Sequence, residues 1–117
     1  LDVTVLHGLE ADLYGTVRLN NNMGIDLELI YAADLVIATV ERLVDEVQRS
    51  LDSVLIPAPG IDIIAHAPHG AWPTSCYPDY PVAGGELLRY VEACSAGEFA
   101  TYLAQRLADS RLPDQNT

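Results

Sequence analysis

The sequence predicts a three-layer α/β domain built on an open, mostly parallel sheet. Three observations predict it. Residues 35–40 form a near-continuous apolar run, the pattern of a strand buried on both faces. Strand-like runs alternate along the chain with stretches whose apolar residues fall at helical spacing. Residues 61–65 empty into a loop punctuated by Pro, Gly and aromatics, residues 66–81. Ligands of open α/β sheets bind outside the carboxyl ends of strands, so this loop is the candidate site. The alternative is a surface loop that wraps a helix onto the sheet.

The elements follow in order. Residues 2–7 read as a short buried strand, turned by the loop 7–15, and residues 16–19 alternate as a second strand. Asn20, Asn21 and Asn22 make a polar break before a helix over 23–33, with Ile25, Leu29, Ala32 and Ala33 on one side. After the strand at 35–40, residues 41–51 suggest a short charged helix in which Asp45 and Glu46 reach Arg49. Residues 53–56 are strand, stopped by Pro57 and Pro59. Gly84 and Gly85 precede a helix with Leu87, Leu88, Val91 and Cys94 as its apolar stripe. Ser95 and Glu98 have capping-box spacing for a last helix striped by Phe99, Tyr102, Leu103 and Leu107. We expect one domain over 1–112 and a loose polar tail at 113–117.

Composition removes several functions. The formal net charge of −11 argues against nucleic acid and against an anionic membrane surface, both of which demand basic patches. No apolar run approaches a membrane span and no secretory signal opens the chain. All six cations are arginine, so a Schiff-base lysine, a Ser–Lys dyad and a P-loop lysine are impossible within this chain. Cys76 and Cys94 are too few for a disulfide framework, and a cytoplasmic, reduced setting is expected. The chain opens on Leu1 and its only methionine is Met23, which reads as a piece of something longer.

Chemistry-bearing residues have bland readings beside the sharp ones. His66-x-x-His69 with Cys76 nearby matches no tight metal motif, so no metal centre is expected. Cys76 beside His69 is a conceivable nucleophile, but a reactive thiol needs an electropositive setting that this acidic chain lacks. Cys94 reads as core. Glu10 and Asp12 are a possible acid–base pair; Asp12 before Leu-Tyr-Gly more often closes a turn. Gly84-Gly85 at a helix start is a weak anion site because Glu86 follows directly.

The order of segments is more specific than any of these. The stretch His7-x-x-x-Ala11-Asp12-x-x-Gly15-x-Val17 resembles the H-x-x-x-A-D-x-x-G-N-V stretch of glutaconate-type coenzyme A transferases, in their A (alpha) subunit. Residues 36–44 are similar to I-V-T-V-E-E-L-V, and Ile56-Pro57 with residues 61–64 to I-P-x-x-x-V-D-A-V-V. Pro68-His69-Gly70-Ala71-Trp72-Pro73-Thr74-Ser75-Cys76-Tyr77 resembles the family's P-x-G-A-x-P-[ST]-S-x-Y loop. The resemblance runs from about Asp2 to Ala96. The departures are Thr16 where asparagine is usual, Glu10 where arginine or a neutral residue is common, and no Asp after Tyr80.

That resemblance implies a three-layer open, mostly parallel sheet of the CoA-transferase (NagB/RpiA-like) type, with this chain as the C-terminal half of an A subunit. It implies a heteromer that includes the missing N-terminal half together with a CoA-transferase B subunit. Such a heteromer acts in the cytoplasm on acyl-CoA thioesters with no permanently bound cofactor. The nucleophile, a glutamate that forms a glutamyl-CoA intermediate, is then expected on the B subunit, leaving no catalytic residue in this chain. His7, Gly70, Ala71, Trp72, Ser75 and Tyr77 are expected to line the acyl pocket, with backbone donors for the developing oxyanion. Two other readings stand beside transfer: decarboxylation or carbon–carbon hydrolysis of a CoA thioester, with Glu10 or a partner carboxylate as base, and a non-catalytic half that completes a partner's sheet.

Overall fold

The computed structural model describes residues 1–110. The described residues divide into two compact units, one over Leu1–Pro81 and one from Val82 onward. The polar tail expected at 113–117 lies outside the described residues.

The first unit is a five-stranded open sheet with the order β4-β2-β1-β3-β5. Its strands are β1 (Val3–Ala11), β2 (Val17–Asn20), β3 (Leu35–Leu43), β4 (Ser53–Ile56) and β5 (Ile63–His66), with α1 (Asp26–Ala32) between β2 and β3. The parallel part is β1-β3-β5, in register Val3↔Leu35 and Ile37↔Ile63. β2 and β4 pair antiparallel, so the open α/β sheet expected from the sequence is mixed. The reason is local: β1 and β2 are joined by a turn too short for a crossover. In that turn Asp12 Oδ1 accepts the Tyr14 and Thr16 N–H groups at 3.0 and 3.1 Å, and Gly15 takes φ 87. Asp12 is thus the turn-former that its sequence context suggests.

Alternation decides the core. Val36, Ala38 and Val40 are buried with Val17, Leu19, Ile30 and Ile56, and Thr39 and Glu41 alternate with them along β3. Burying each such aliphatic side chain contributes roughly 1.5–3 kcal/mol. Helix α1 adds Ile30 to this core, and Thr4 Oγ1 donates to the Leu29 carbonyl at 3.0 Å.

Two sequence expectations are corrected here. β1 continues through Glu10 to Ala11, where the sequence suggested a loop from His7. Residues 41–43 continue β3 and no helix forms over 44–51. One cause accounts for both. The pairs Glu10↔Arg42 and Ala11↔Leu43 extend the ladder, and cross-strand charge pairing satisfies residues that a one-dimensional pattern reads as helical surface.

The second unit is a helix pair, α2 (Gly84–Ser95) and α3 (Phe99–Ser110). Ser95 closes α2 instead of opening a capping box. Gly97 at φ 73 forms a Schellman stop, with Gly97 N–H on the Cys94 carbonyl (3.2 Å) and Glu98 N–H on that of Ala93 (2.8 Å). Glu86, buried in α2, accepts from Arg89, Arg106 and Tyr102, which ties the two helices together. The apolar stripe of α2 is not core: Leu88 and Val91 are more than half exposed, and Cys94 is exposed as well.

Candidate functional site

The carboxyl ends of β3 and β5 present a buried carboxylate to the loop that follows β5. His7 on β1 is in register with Thr39 on β3, and Glu41 stands two residues further along the same strand. His7 Nε2 donates to Glu41 Oε1 at 2.8 Å. Its Nδ1 is hydrogen-bonded with Thr39 Oγ1 at 2.7 Å. Both ring nitrogens are therefore taken by protein groups.

The loop closes over this pair. The Tyr80 hydroxyl donates to Glu41 Oε1 (2.6 Å) and the His69 N–H donates to Oε2 (2.7 Å). The same Tyr80 oxygen accepts the Ala71 N–H at 3.0 Å. The His69 and Tyr80 rings stack with centroids 5.1 Å apart. His66 Nε2 donates to the Glu41 carbonyl at 3.0 Å. Burial by itself would raise the Glu41 carboxyl, but the hydrogen bonds from Tyr80, His7 and His69 N–H outweigh it and hold the group below its ordinary range. Burial, and then the bond to Glu41, push the Tyr80 hydroxyl well above the usual phenol range.

The other end of the loop is held by charge. Arg42, next to Glu41 on β3, pairs with Asp79 and with Glu10, and Arg18 binds Glu10 at 3.1 Å. Burial opposes ionisation of Glu10, yet its bonds and attraction to Arg18 and Arg42 leave it below the ordinary range. A carboxylate fixed between two guanidinium groups is a poor general base, so the acid–base role considered for Glu10 and Asp12 has no support in the geometry.

Of the residues expected at the site, His7, Gly70 and Ala71 are brought together. A Cβ on Gly70 would lie 2.6 Å from His7 Cε1, so only glycine fits there. Trp72, Ser75 and Tyr77 lie further along the loop and are exposed or partly so. The Tyr77 carbonyl accepts from Asn20 Nδ2 at 3.0 Å. Asn20 and His7 both line a cleft of about 290 Å³ with Leu19, Met23 and Asp26. The backbone N–H groups of His69, Gly70, Ala71, Trp72 and Thr74 all bond within the chain. Those five donors are spent inside the protein.

His7, Glu41 and Cys76 place three potential metal-ligand atoms within 4.8 Å of one another. Each Glu41 oxygen already has its donors, and burial, reinforced by the Glu41 and Asp79 charges, pushes the Cys76 thiol up to about 11. The same shift makes Cys76 a weak nucleophile. The residues that sequence reasoning missed are Glu41, Tyr80 and Arg42. The signals for Glu41 were a charged residue directly after a buried strand and its place in the family-like stretch over residues 36–44.

Comparison with known proteins agrees with this architecture. The chain is 34% identical over 79 residues to the A subunit of 3-oxoadipate CoA-transferase from Pseudomonas knackmussii, covering 68% of this chain and 28% of that protein. It is 33% identical over 79 residues to the A subunit of glutaconate CoA-transferase from Acidaminococcus fermentans, covering 66% and 25%. The crystal structure of glutaconate coenzyme A-transferase from Acidaminococcus fermentans superposes with a TM-score of 0.82 and 27% identity, over 99% of this chain and 37% of that one. A variant of the decarboxylase AibA/AibB superposes with a TM-score of 0.79 and 36% identity, over 92% and 39%. No protein-family profile matches the sequence.

The mixed sheet with its helices has the fold of glutaconate CoA-transferase. More particularly, the chain is a homologue of CoA-transferase A subunits. It spans about a quarter of the length of the curated relatives it matches, 28% and 25%. Among the described residues no helix is long and apolar enough to cross a membrane.

Proposed function

We propose that this chain is part of the A subunit of a heteromeric enzyme that moves coenzyme A between carboxylic acids. The observation that carries the proposal is positional. The loop bearing the family-like Pro68–Tyr77 sequence is the one anchored at the carboxyl ends of β3 and β5. Ligands of open α/β sheets bind at such ends. His7, Gly70, Ala71, Trp72, Ser75 and Tyr77 then shape the acyl pocket beside the cleft that His7 and Asn20 line, with the His7 ring held by Thr39 and Glu41.

In this reading the thioester carbonyl is attacked by a glutamate of a companion B chain, which carries CoA as a glutamyl thioester to the acceptor acid. The acyl-CoA is a substrate, not a resident cofactor. Residues beyond this chain supply the rest of the A subunit. The free thiols of Cys76 and Cys94 suit a reducing cytoplasm.

A second reading is favoured by one observation: the decarboxylase structure matches at 36% identity, above the 27% of the transferase structure. One assay separates them. The complete protein is reconstituted with a B-type CoA-transferase subunit and given acyl-CoA donors with labelled acetate. Label in acetyl-CoA supports transfer; carbon dioxide without label transfer supports decarboxylation. Neither product would leave a non-catalytic half that completes a partner's sheet.

A further inference from the structure

We infer that Glu41 and Tyr80 form a latch that sets the backbone of residues 69–71 and so positions the acyl-site loop. The inference rests on the function proposed above and adds the residues that give the site its shape.

Glu41 is 7% exposed, and its two oxygens accept three protein donors: Tyr80 Oη, His7 Nε2 and His69 N. None of these three is an arginine. A buried carboxylate is costly unless hydrogen-bonded, and here the bonds all converge on one loop and on the histidine beneath it.

The loop needs this hold. His69 adopts φ 57, a left-handed conformation that non-glycine residues rarely take. Its N–H bond to Glu41 and its stacking on Tyr80 fix that conformation. Gly70 is pressed against the His7 ring, and the Ala71 N–H ends on the Tyr80 oxygen. Three consecutive residues are thus set by one network, and Trp72 follows directly. Glu41 and Tyr80 touch no reacting group in this scheme; they are positioning residues.

The test uses the complete protein with its companion subunit. Tryptophan is replaced by 5-fluorotryptophan, and the Trp72 resonance is assigned by its loss in Trp72→Phe. Tyr80→Phe and Glu41→Gln should each shift or split that resonance. They should raise KM for acyl-CoA about tenfold and leave kcat within about threefold, because chemistry proceeds on the partner. Tyr80→Phe removes a single oxygen, so the test survives if Glu41→Gln fails to fold. An unmoved Trp72 resonance in folded Tyr80→Phe overturns the latch. A moved resonance with unchanged KM, in a complex whose parent is active, overturns its positioning role. A moved resonance in a complex that turns over no acyl-CoA leaves the latch standing and refutes the proposed function.

Discussion

Gly70 sits against His7 with no room for a side chain: a Cβ would lie 2.6 Å from His7 Cε1, 2.9 Å from Nδ1 and 2.8 Å from the Ala67 carbonyl oxygen. One of these neighbours is backbone and another is a ring held at both nitrogens, so none can swing aside. Gly70→Ala should therefore destabilise the fold by about 1–3 kcal/mol, the usual cost of overpacking. Gly85→Ala in α2 is the contrast, because its Cβ would meet nothing within 4 Å. It should be neutral or stabilising by up to about 1 kcal/mol. Urea unfolding of both variants checks the pair.

Tyr80→Phe leaves two groups short of a partner, Glu41 Oε1 and the Ala71 N–H. Unpaired buried polar groups cost about 1–3 kcal/mol each, and His7 still serves Oε1. A loss of about 2 kcal/mol is expected, read as a lower urea midpoint at an unchanged slope.

Acid should unfold the first unit through its carboxylates. Glu41 and Glu10 lie below their ordinary 4.5, and Asp12 lies below 3.8, the last through the Val47, Thr16 and Tyr14 N–H bonds against an opposing burial effect. A depressed native pKa means that the unfolded chain takes up protons first as pH falls. The contribution is complete above the unfolded value and is lost as pH drops through the folded one. Stability should be flat above about pH 5 and decline below it, and Glu41→Gln should show a shallower decline. Unfolding midpoints between about pH 3 and 7 measure this.

The two thiols should react at very different rates. Cys94 is exposed, whereas Cys76 is buried and its thiol is pushed up to about 11 from 9.0. That rise leaves about a hundredfold less thiolate at neutral pH, before access is counted. Iodoacetamide in mild alkali should label Cys94 first and Cys76 only after unfolding, resolved by peptide mass spectrometry.

The fold was legible wherever a local pattern carried it. The apolar run at 35–40, the strand at 53–56 and the loop after 61–65 all appear in place, because burial and chain reversal leave periodic marks in sequence. Residues 41–51 were misread for the opposite reason. Glu41, Arg42, Asp45 and Glu46 look like solvated helix, yet Glu41 is buried beneath a loop whose Tyr80 lies 39 residues away. Glu10 likewise looked like a free loop carboxylate, and cross-strand neighbours made it an ion-paired strand residue.

The sequence by itself determined the α/β class, the turn at Asp12, the candidate loop and the kinship with CoA-transferase A subunits. Those depend on residues near one another in the chain, or on their order along it. Tertiary structure alone decided that Glu41 is the anchor, that His7 has no free nitrogen, and that the N–H groups of residues 69–72 are spent inside the protein. Hydrogen bonds form between groups that folding brings within about 3 Å, and composition and periodicity record no such distances.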